Sequence, residues 1–379
     1  MNYSATFAET DQTQVSASAP LILHVFSTFA VGGPQRRFAA MANFFGSRYR
    51  HRVISLDDRT DAQALLKTPC VVQPAPFRRS NPLADIYRAQ KFIRRTKPDL
   101  LVTYNWGAME WGAANLAAGV RHVHIEDGFG PEEAERQLLR RVWFRRAVLN
   151  RRSMLVLPSQ TLMRIARKTW HIQGKRMMYV PNGIPCARFQ MARESSLVFP
   201  GSGPIIGTVA ALRREKALGR LIEAFTLLRT KRAARLVIVG DGPERTSLEQ
   251  LVHARGIQDS VFFTGALERP ERAMGAFDIF ALSSDTEQMP LSVLEAMAAG
   301  LPVAGTNVGD VRQIVADDNK PYIVARDVLA LAGAMRALLD DADVRAAVGA
   351  ANRARAFNAF DEAVMFTAYD RLFTPPAKP

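Results

Sequence analysis

The 379 residues are 48% hydrophobic and 23% charged with a formal charge of +14, which excludes a disordered chain and, at roughly 100–200 residues per domain, predicts two packed domains. Cys70 and Cys186 are the only cysteines, which excludes a disulfide framework and a structural zinc cluster, and without a signal-peptide-like start or an apolar run of about 18 residues the expectation is a cytoplasmic protein that does not span a membrane. The charge is lopsided, with 29 Lys and Arg against 14 Asp and Glu in residues 1–200 and 21 against 22 in residues 201–379, so the first half is expected to face something anionic: a membrane surface, a lipid phosphate or nucleic acid.

Residues 1–20 are polar and read as a flexible tail. The apolar run LILHVFSTF (21–29) leads to Gly32-Gly33, and PQRRFAAMANFFG then has helical character, the opening of a βα unit. VISL (53–56), DLLVTYN (99–105), HVHIE (122–126) and RSMLVLP (152–158) continue the alternation. Between the last two, residues 132–153 read as one arginine-rich helix with Leu138, Leu139, Trp143 and Phe144 interleaved. It is either a peripheral membrane helix on an anionic surface or a core-facing helix whose arginines are solvated. VFPGSGP (198–204) reads as a linker, and its glycines are not a dinucleotide-binding loop, because that fingerprint follows a strand and these precede one. Strands at 205–212, 235–240, 261–265 and 279–284 then alternate with helices, ending in LSVLEAMAAG. The fold class is therefore α/β, with two doubly wound parallel sheets at 21–197 and 205–358 and a last helix at 359–373.

In residues 283–306, Glu287 and Glu295 bracket seven residues, and Pro290 falls at the expected helix start, where its missing N–H costs nothing. The amides of Leu291, Ser292 and Val293 would then be free donors at the positive end of a helix dipole, ready for a phosphate. Carboxylates on either side suit the hydroxyls of a nucleotide sugar. Asp341-Ala342-Asp343 lies in a helical region, so no metal is expected, and no cofactor beyond a nucleotide sugar bound as substrate.

These residues, with GGPQRRF (32–38), YVPNGI (179–184), IGTVAALRREKALGRLIEAF (206–225) and RLVIVGDGPERTSLEQL (235–251), resemble glycosyltransferase family 4 across residues 21–373. The resemblance implies a GT-B fold, two Rossmann-like domains facing each other across a cleft, with the acceptor on the first domain, the donor on the second and the last helix crossing back to the first. It implies Glu287 on the donor sugar, Glu295 on the ribose, Lys216 on the diphosphate and the Gly32-Gly33 backbone near the phosphates. Independently, a lysine beyond a strand end and opposite a helix N-terminus suits a leaving diphosphate. Ala211 stands where the family carries an arginine, so diphosphate binding leans on Lys216 or on Arg213, and Gln288 stands where glycine is common. HVHIEDGFGP (122–131) is similar to the strand-end segment where a histidine approaches the reacting centre, with either His124 or Asp127 in that place.

The activity so implied is retaining transfer from a UDP- or GDP-linked sugar to a glycan or lipid-linked acceptor, in polysaccharide or glycolipid synthesis. A nucleotide-sugar epimerase and a non-catalytic binding protein on the same fold are the alternatives. The pI of about 10.3 also suggests a nucleic-acid-binding protein, but no helix-turn-helix, zinc finger or aromatic RNA-binding signature occurs, so no nucleic-acid partner is expected.

Overall fold

The computed structural model describes residues 18–375 apart from 78–79, 130, 134–135, 191–196 and 231–232, so all but the last three residues of the expected tail lie outside the described residues. The apolar runs of the first half become β1 (Leu21–Phe26), β2 (Arg50–Ser55), β4 (Leu100–Tyr104), β5 (Arg121–Ile125) and β6 (Ser153–Leu157), joined by β3 (Cys70–Pro74) and β7 (Met177–Tyr179). They form one parallel sheet in the order β3-β2-β1-β4-β5-β6-β7. Strand β4 is buried at every position, as a strand covered by helices on both faces must be.

The second half contributes β8 (Ile205–Val209), β9 (Arg235–Val239), β10 (Val261–Gly265), β11 (Ile279–Leu282), β12 (Val303–Thr306) and β13 (Ile323–Val324). These make a second parallel sheet in the order β10-β9-β8-β11-β12-β13. Two Rossmann-like sheets were the expectation, and two are present. The four strands that the apolar pattern did not single out are β3, β7, β12 and β13, all at or next to a sheet edge, where runs are shorter or half exposed. In each sheet the order reverses beside its first strand, between β1 and β4 and between β8 and β11. A crevice opens there at the carboxyl ends of the strands, which is where open α/β sheets bind ligands.

The chain divides into two compact units, residues 1–157, 162–180 and 366–379 in the first and 158–161 and 181–365 in the second. The first boundary therefore falls at 180 and not at 197. Ile184, Cys186 and Phe189 are the reason, because they are buried in the second unit's core with Met274 and Phe277. Residues 198–204, expected as a linker, are fastened within the second unit instead: the Leu197 N–H donates to the Arg272 carbonyl, and the Arg235 guanidinium donates to the carbonyls of Phe199, Pro200 and Gly203. The last helix, Glu362–Phe373, starts later than 359 because the preceding helix runs through Ala359. From Phe366 onward it belongs to the first unit, where Phe366 stacks on Phe44 at 4.4 Å and Asp370 accepts from the Tyr49 hydroxyl at 2.8 Å.

Candidate functional site

The second unit's crevice is built from the loops after β8 and β11. The β8 loop is seated on two glycines: a Cβ at Gly240, whose φ is +136°, would fall 1.9 Å from the Ala210 carbonyl oxygen, and one at Gly242 would fall 2.5 Å from that of Leu212. No side chain fits at either place, so this loop needs both glycines of the GDG sequence after β9. The loop ends in a 3-10 turn, Arg214–Lys216, whose last carbonyl accepts from the Ser283 hydroxyl at 2.9 Å.

The β11 loop carries Glu287. Its carboxylate oxygen Oε1 accepts from Lys216 Nζ at 2.6 Å and from the Ser284 hydroxyl at 2.8 Å. The ion pair is partly open, with side chains 24% and 11% exposed, so a ligand can reach both partners. The loop is held from behind by residues 306–310. Thr306 Oγ1 donates to the Ser284 carbonyl, the Asp310 N–H donates to the Gln288 carbonyl, and a Cβ at Gly309 (φ +52°) would lie 2.1 Å from the Glu287 carbonyl oxygen.

The helix that follows is Leu291–Ala298, with Pro290 as its N-cap residue and not, as expected, inside its first turn. The Val293 N–H already reaches the Pro290 carbonyl at 3.2 Å, which leaves the Leu291 and Ser292 amides as the helix's open donors. Leu291, Ser292 and Glu295 are half-buried while Val293 and Leu294 are buried, so those three share the accessible face. Arg188, raised by its bond to Glu271 and also by the nearby charge of Glu295, lies alongside. Arg213 is exposed, and Ala211 with it.

In the first unit the loops after β1, β4 and β5 converge at the carboxyl end of the sheet. Gly32 is the N-cap of the helix Gly33–Phe45; a Cβ on Gly32 would fall 2.8 Å from Gln35 Oε1, while one on Gly33 would meet nothing within 4 Å. Arg37 on this helix grips Asp127 with both guanidinium nitrogens, at 2.5 and 2.8 Å. Burial opposes the Arg37 charge, but Asp127 outweighs it and raises the Arg37 pKa. The Asp127 N–H donates in turn to Asn105 Oδ1 at 2.7 Å. Asn105 holds φ 56° and ψ −179°, a conformation nearly confined to glycine that costs on the order of 1–3 kcal/mol.

His124 and Asp127 have different surroundings. His124 is fully buried on β5, its Nδ1 2.8 Å from the Thr103 hydroxyl, which also meets His122 Nε2 at 2.8 Å. A hydroxyl has one proton, so it donates to one imidazole and accepts from the other. Asp127 lies past the strand end and lines a cavity of about 480 Å³ with Asn105, Trp106, Phe129, Glu132 and Arg141. Behind that cavity Arg145, wholly buried, is bidentate on Glu133 at 3.0 and 3.2 Å and reaches Glu126 at 3.4 Å.

Of the residues singled out in the sequence, Lys216, Glu287, Leu291, Ser292 and Glu295 gather in the second unit, and Gly32, Gly33, His124 and Asp127 lie in the first. Ser284, Gly309, Asn105, Arg37 and Arg145 were not anticipated. For Asn105 a signal existed, an Asn-Trp-Gly directly after an apolar run, but nothing local marks the partners of the others. Among the described residues no group of three or more His, Cys, Asp or Glu is placed to hold a metal ion.

Two parallel Rossmann-like sheets with crevices at their switch points define the GT-B class. The sequence matches the family described as Glycosyltransferase Family 4 over residues 31–188 and that described as Glycosyl transferases group 1 over residues 192–355. The chain belongs to glycosyltransferase family 4. It is 28% identical over 173 residues to the N-acetyl-alpha-D-glucosaminyl L-malate synthase of Bacillus anthracis, covering 45% of each. It is 29% identical over 264 residues to a GDP-mannose-dependent monoacylated alpha-(1-6)-phosphatidylinositol monomannoside mannosyltransferase of Corynebacterium glutamicum, covering 65% of this chain and 66% of that one. The matches span between about a third and a half of the length of the first curated relatives. Among solved structures, Anabaena HepE in complex with UDP superposes with a TM-score of 0.77 at 17% identity over 93% of this chain and 99% of that one, and a glycosyltransferase from Rickettsia africae with 0.78 at 17% over 94% and 98%. At such identities the likeness shows the fold.

Proposed function

We propose that this protein is a retaining glycosyltransferase that moves a sugar from a UDP- or GDP-linked donor to a glycan or lipid-linked acceptor, in cell-surface polysaccharide or glycolipid synthesis. The observation that carries this reading is the Lys216–Glu287 pair at 2.6 Å on the switch-point loops of the second sheet, beside the open amides of Leu291 and Ser292. A cation and two backbone donors are what a diphosphate needs, and a carboxylate next to them suits sugar hydroxyls. Empty, the two groups neutralise each other; a donor separates them by giving each a better partner. As the glycosidic bond breaks, charge grows on the diphosphate, and Lys216 with the helix N-terminus stabilises it without reorganisation. Glu295, on the same accessible helix face, is placed on the ribose, and the Gly32-Gly33 backbone, at the N-terminus of its own helix, is placed near the phosphates. Arg213 is a second, exposed cation on the β8 loop. At the reacting centre we place Asp127 rather than His124, because Asp127 opens on a cavity and His124 is fully buried.

Names of relatives support a nucleotide-linked donor, among them the GDP-mannose-dependent enzyme of Corynebacterium glutamicum and the UDP complex of Anabaena HepE. A peripheral location on an anionic membrane is part of this proposal, and the helix Leu139–Arg152 supports it. Its buried face is Val142, Arg145, Val148 and Leu149, while Leu139 and Trp143 stand 65% and 63% exposed among the exposed Arg140, Arg146 and Arg151. No helix among the described residues is long and apolar enough to cross a membrane.

The test is thermal unfolding with UDP, GDP and ADP in turn, on the wild type and on Glu295→Ala. A nucleotide at a hundred times its dissociation constant adds about 2.7 kcal/mol, a rise of roughly 2–4 °C. One nucleotide raising the wild type and not the variant identifies the donor base. No response to any of them removes the reading. Sugar turnover without acceptor, followed by product identity, would point instead to an epimerase.

A further inference from the structure

The cavity at the ends of β4 and β5, on which Asp127 opens, contains none of the second unit's donor-binding groups, and its charged groups are paired. Arg37 is paired with Asp127, Arg141 with Glu132 at 2.6 Å and Glu133 at 3.1 Å, and Arg145 with Glu133 and Glu126. Among the described residues three guanidinium groups thus pair with four carboxylates, and the balance of those groups is one negative charge. An entering phosphate would have to strip an arginine from its carboxylate in a site that repels it, and a cation would have to compete with a bidentate guanidinium.

What the cavity offers without breaking a pair is hydrogen-bonding capacity. The carboxylate oxygens of Asp127 and Glu132 keep lone pairs beyond their guanidinium bonds, and Asn105 Nδ2 meets no acceptor among the described residues, its Oδ1 being engaged by the Asp127 amide. Trp106 and Phe129 add flat apolar surface, and the Arg141 and Arg145 guanidinium groups, 4.9 and 5.0 Å from the Trp106 ring centre, fix that ring in place. Groups that donate and accept without carrying charge, set on a ring with apolar faces, complement such a lining. The volume of about 480 Å³ is that of a small-molecule pocket.

The geometry points to this cavity as the acceptor subsite, taking an uncharged polyhydroxylated ring, a neutral glycosyl or cyclitol unit, with Asp127 and Glu132 accepting from its hydroxyls and Asn105 donating to one. The assignment rests on the transferase reading and narrows it: the group that enters the cavity is neutral even where the rest of the acceptor is a lipid or a phosphate.

Saturation-transfer NMR on the full chain tests it, with methyl glucoside and inositol as neutral probes and glucose 6-phosphate and inorganic phosphate as charged ones. The neutral probes are expected to bind the wild type and to bind Asn105→Gly and Glu132→Gln roughly tenfold more weakly, the loss of one hydrogen bond. Asn105→Gly suits the local backbone, so it folds, and its melting temperature checks that. Neutral binding that is unchanged in both variants lies elsewhere and overturns the assignment, as does binding of the phosphorylated probes alone. The nucleotide response, read in the same samples, separates the two levels: kept without any neutral-ring binding, it leaves the transferase reading standing and sinks this one; absent from the wild type, it removes both.

Discussion

At the scale of single residues, the chemistry proposed for the second unit depends on where the Glu287 carboxylate and the Lys216 amine are held. Lys216→Ala is expected to lower kcat roughly a hundred- to thousandfold, the loss of one preorganised charge on the leaving group, measured by steady-state transfer once a donor is known. Gly309→Ala combines a positive φ with a Cβ 2.1 Å from the Glu287 carbonyl, so it should cost about 1–3 kcal/mol of stability and displace Glu287. Urea unfolding together with nucleotide affinity reads both effects. Arg145→Met leaves Glu126 buried without its arginine and Glu133 with Arg141 alone, and should destabilise by about 3–5 kcal/mol; a midpoint in urea unchanged from the wild type would contradict that. Lys216, Glu287, Leu291, Ser292 and Glu295 were legible because helix signals and family motifs mark them locally. Arg37 and Asp127, 90 residues apart, were not legible as a pair, since only the convergence of β1 and β5 brings them together.

At the scale of elements, the helix Leu139–Arg152 packs one face against the first unit, Val142, Arg145, Val148 and Leu149, and leaves the other exposed; the membrane reading of that exposed face is a proposal. Its pattern suggested a helix from residue 132, yet the helix starts at Leu139, where the Leu138 N–H donates to the Glu133 carboxylate at 3.1 Å. The arginines divide by face: Arg141 and Arg145 point to the cavity network, Arg140, Arg146 and Arg151 to solvent. Trp143→Ala combined with Arg146→Ser should weaken binding to vesicles containing phosphatidylserine at least fivefold, given about 1 kcal/mol per basic residue near such a surface. Its melting temperature should stay unchanged because both side chains are exposed. Equal sedimentation of variant and wild type with those vesicles would rule out this face.

At the scale of the whole molecule, three buried histidines give the first unit's stability a pH dependence. Burial pushes His51 down to about 4, burial with His124 beside it pushes His122 down to about 3, and burial with His51 beside it holds His24 well below the ordinary range. Because these folded-state values lie below the unfolded value near 6.5, the unfolded chain binds more protons in between. Their contribution, on the order of 3 kcal/mol for His51, is complete above about pH 6.5 and is lost as pH falls through the folded values. Calorimetry from pH 7 to 5 should therefore lower the first unit's transition, while a bound nucleotide raises the second's. The sequence alone determined the α/β class, the two sheets and the motif residues of the second crevice, because strand and helix periodicity, glycine requirements and helix capping act over a few residues. Tertiary structure decided the boundary at 180, the burial of His124 beside an open Asp127, and the charge balance of the first unit's cavity. Those depend on which strand ends become neighbours, and parallel sheets make neighbours of segments far apart in the chain.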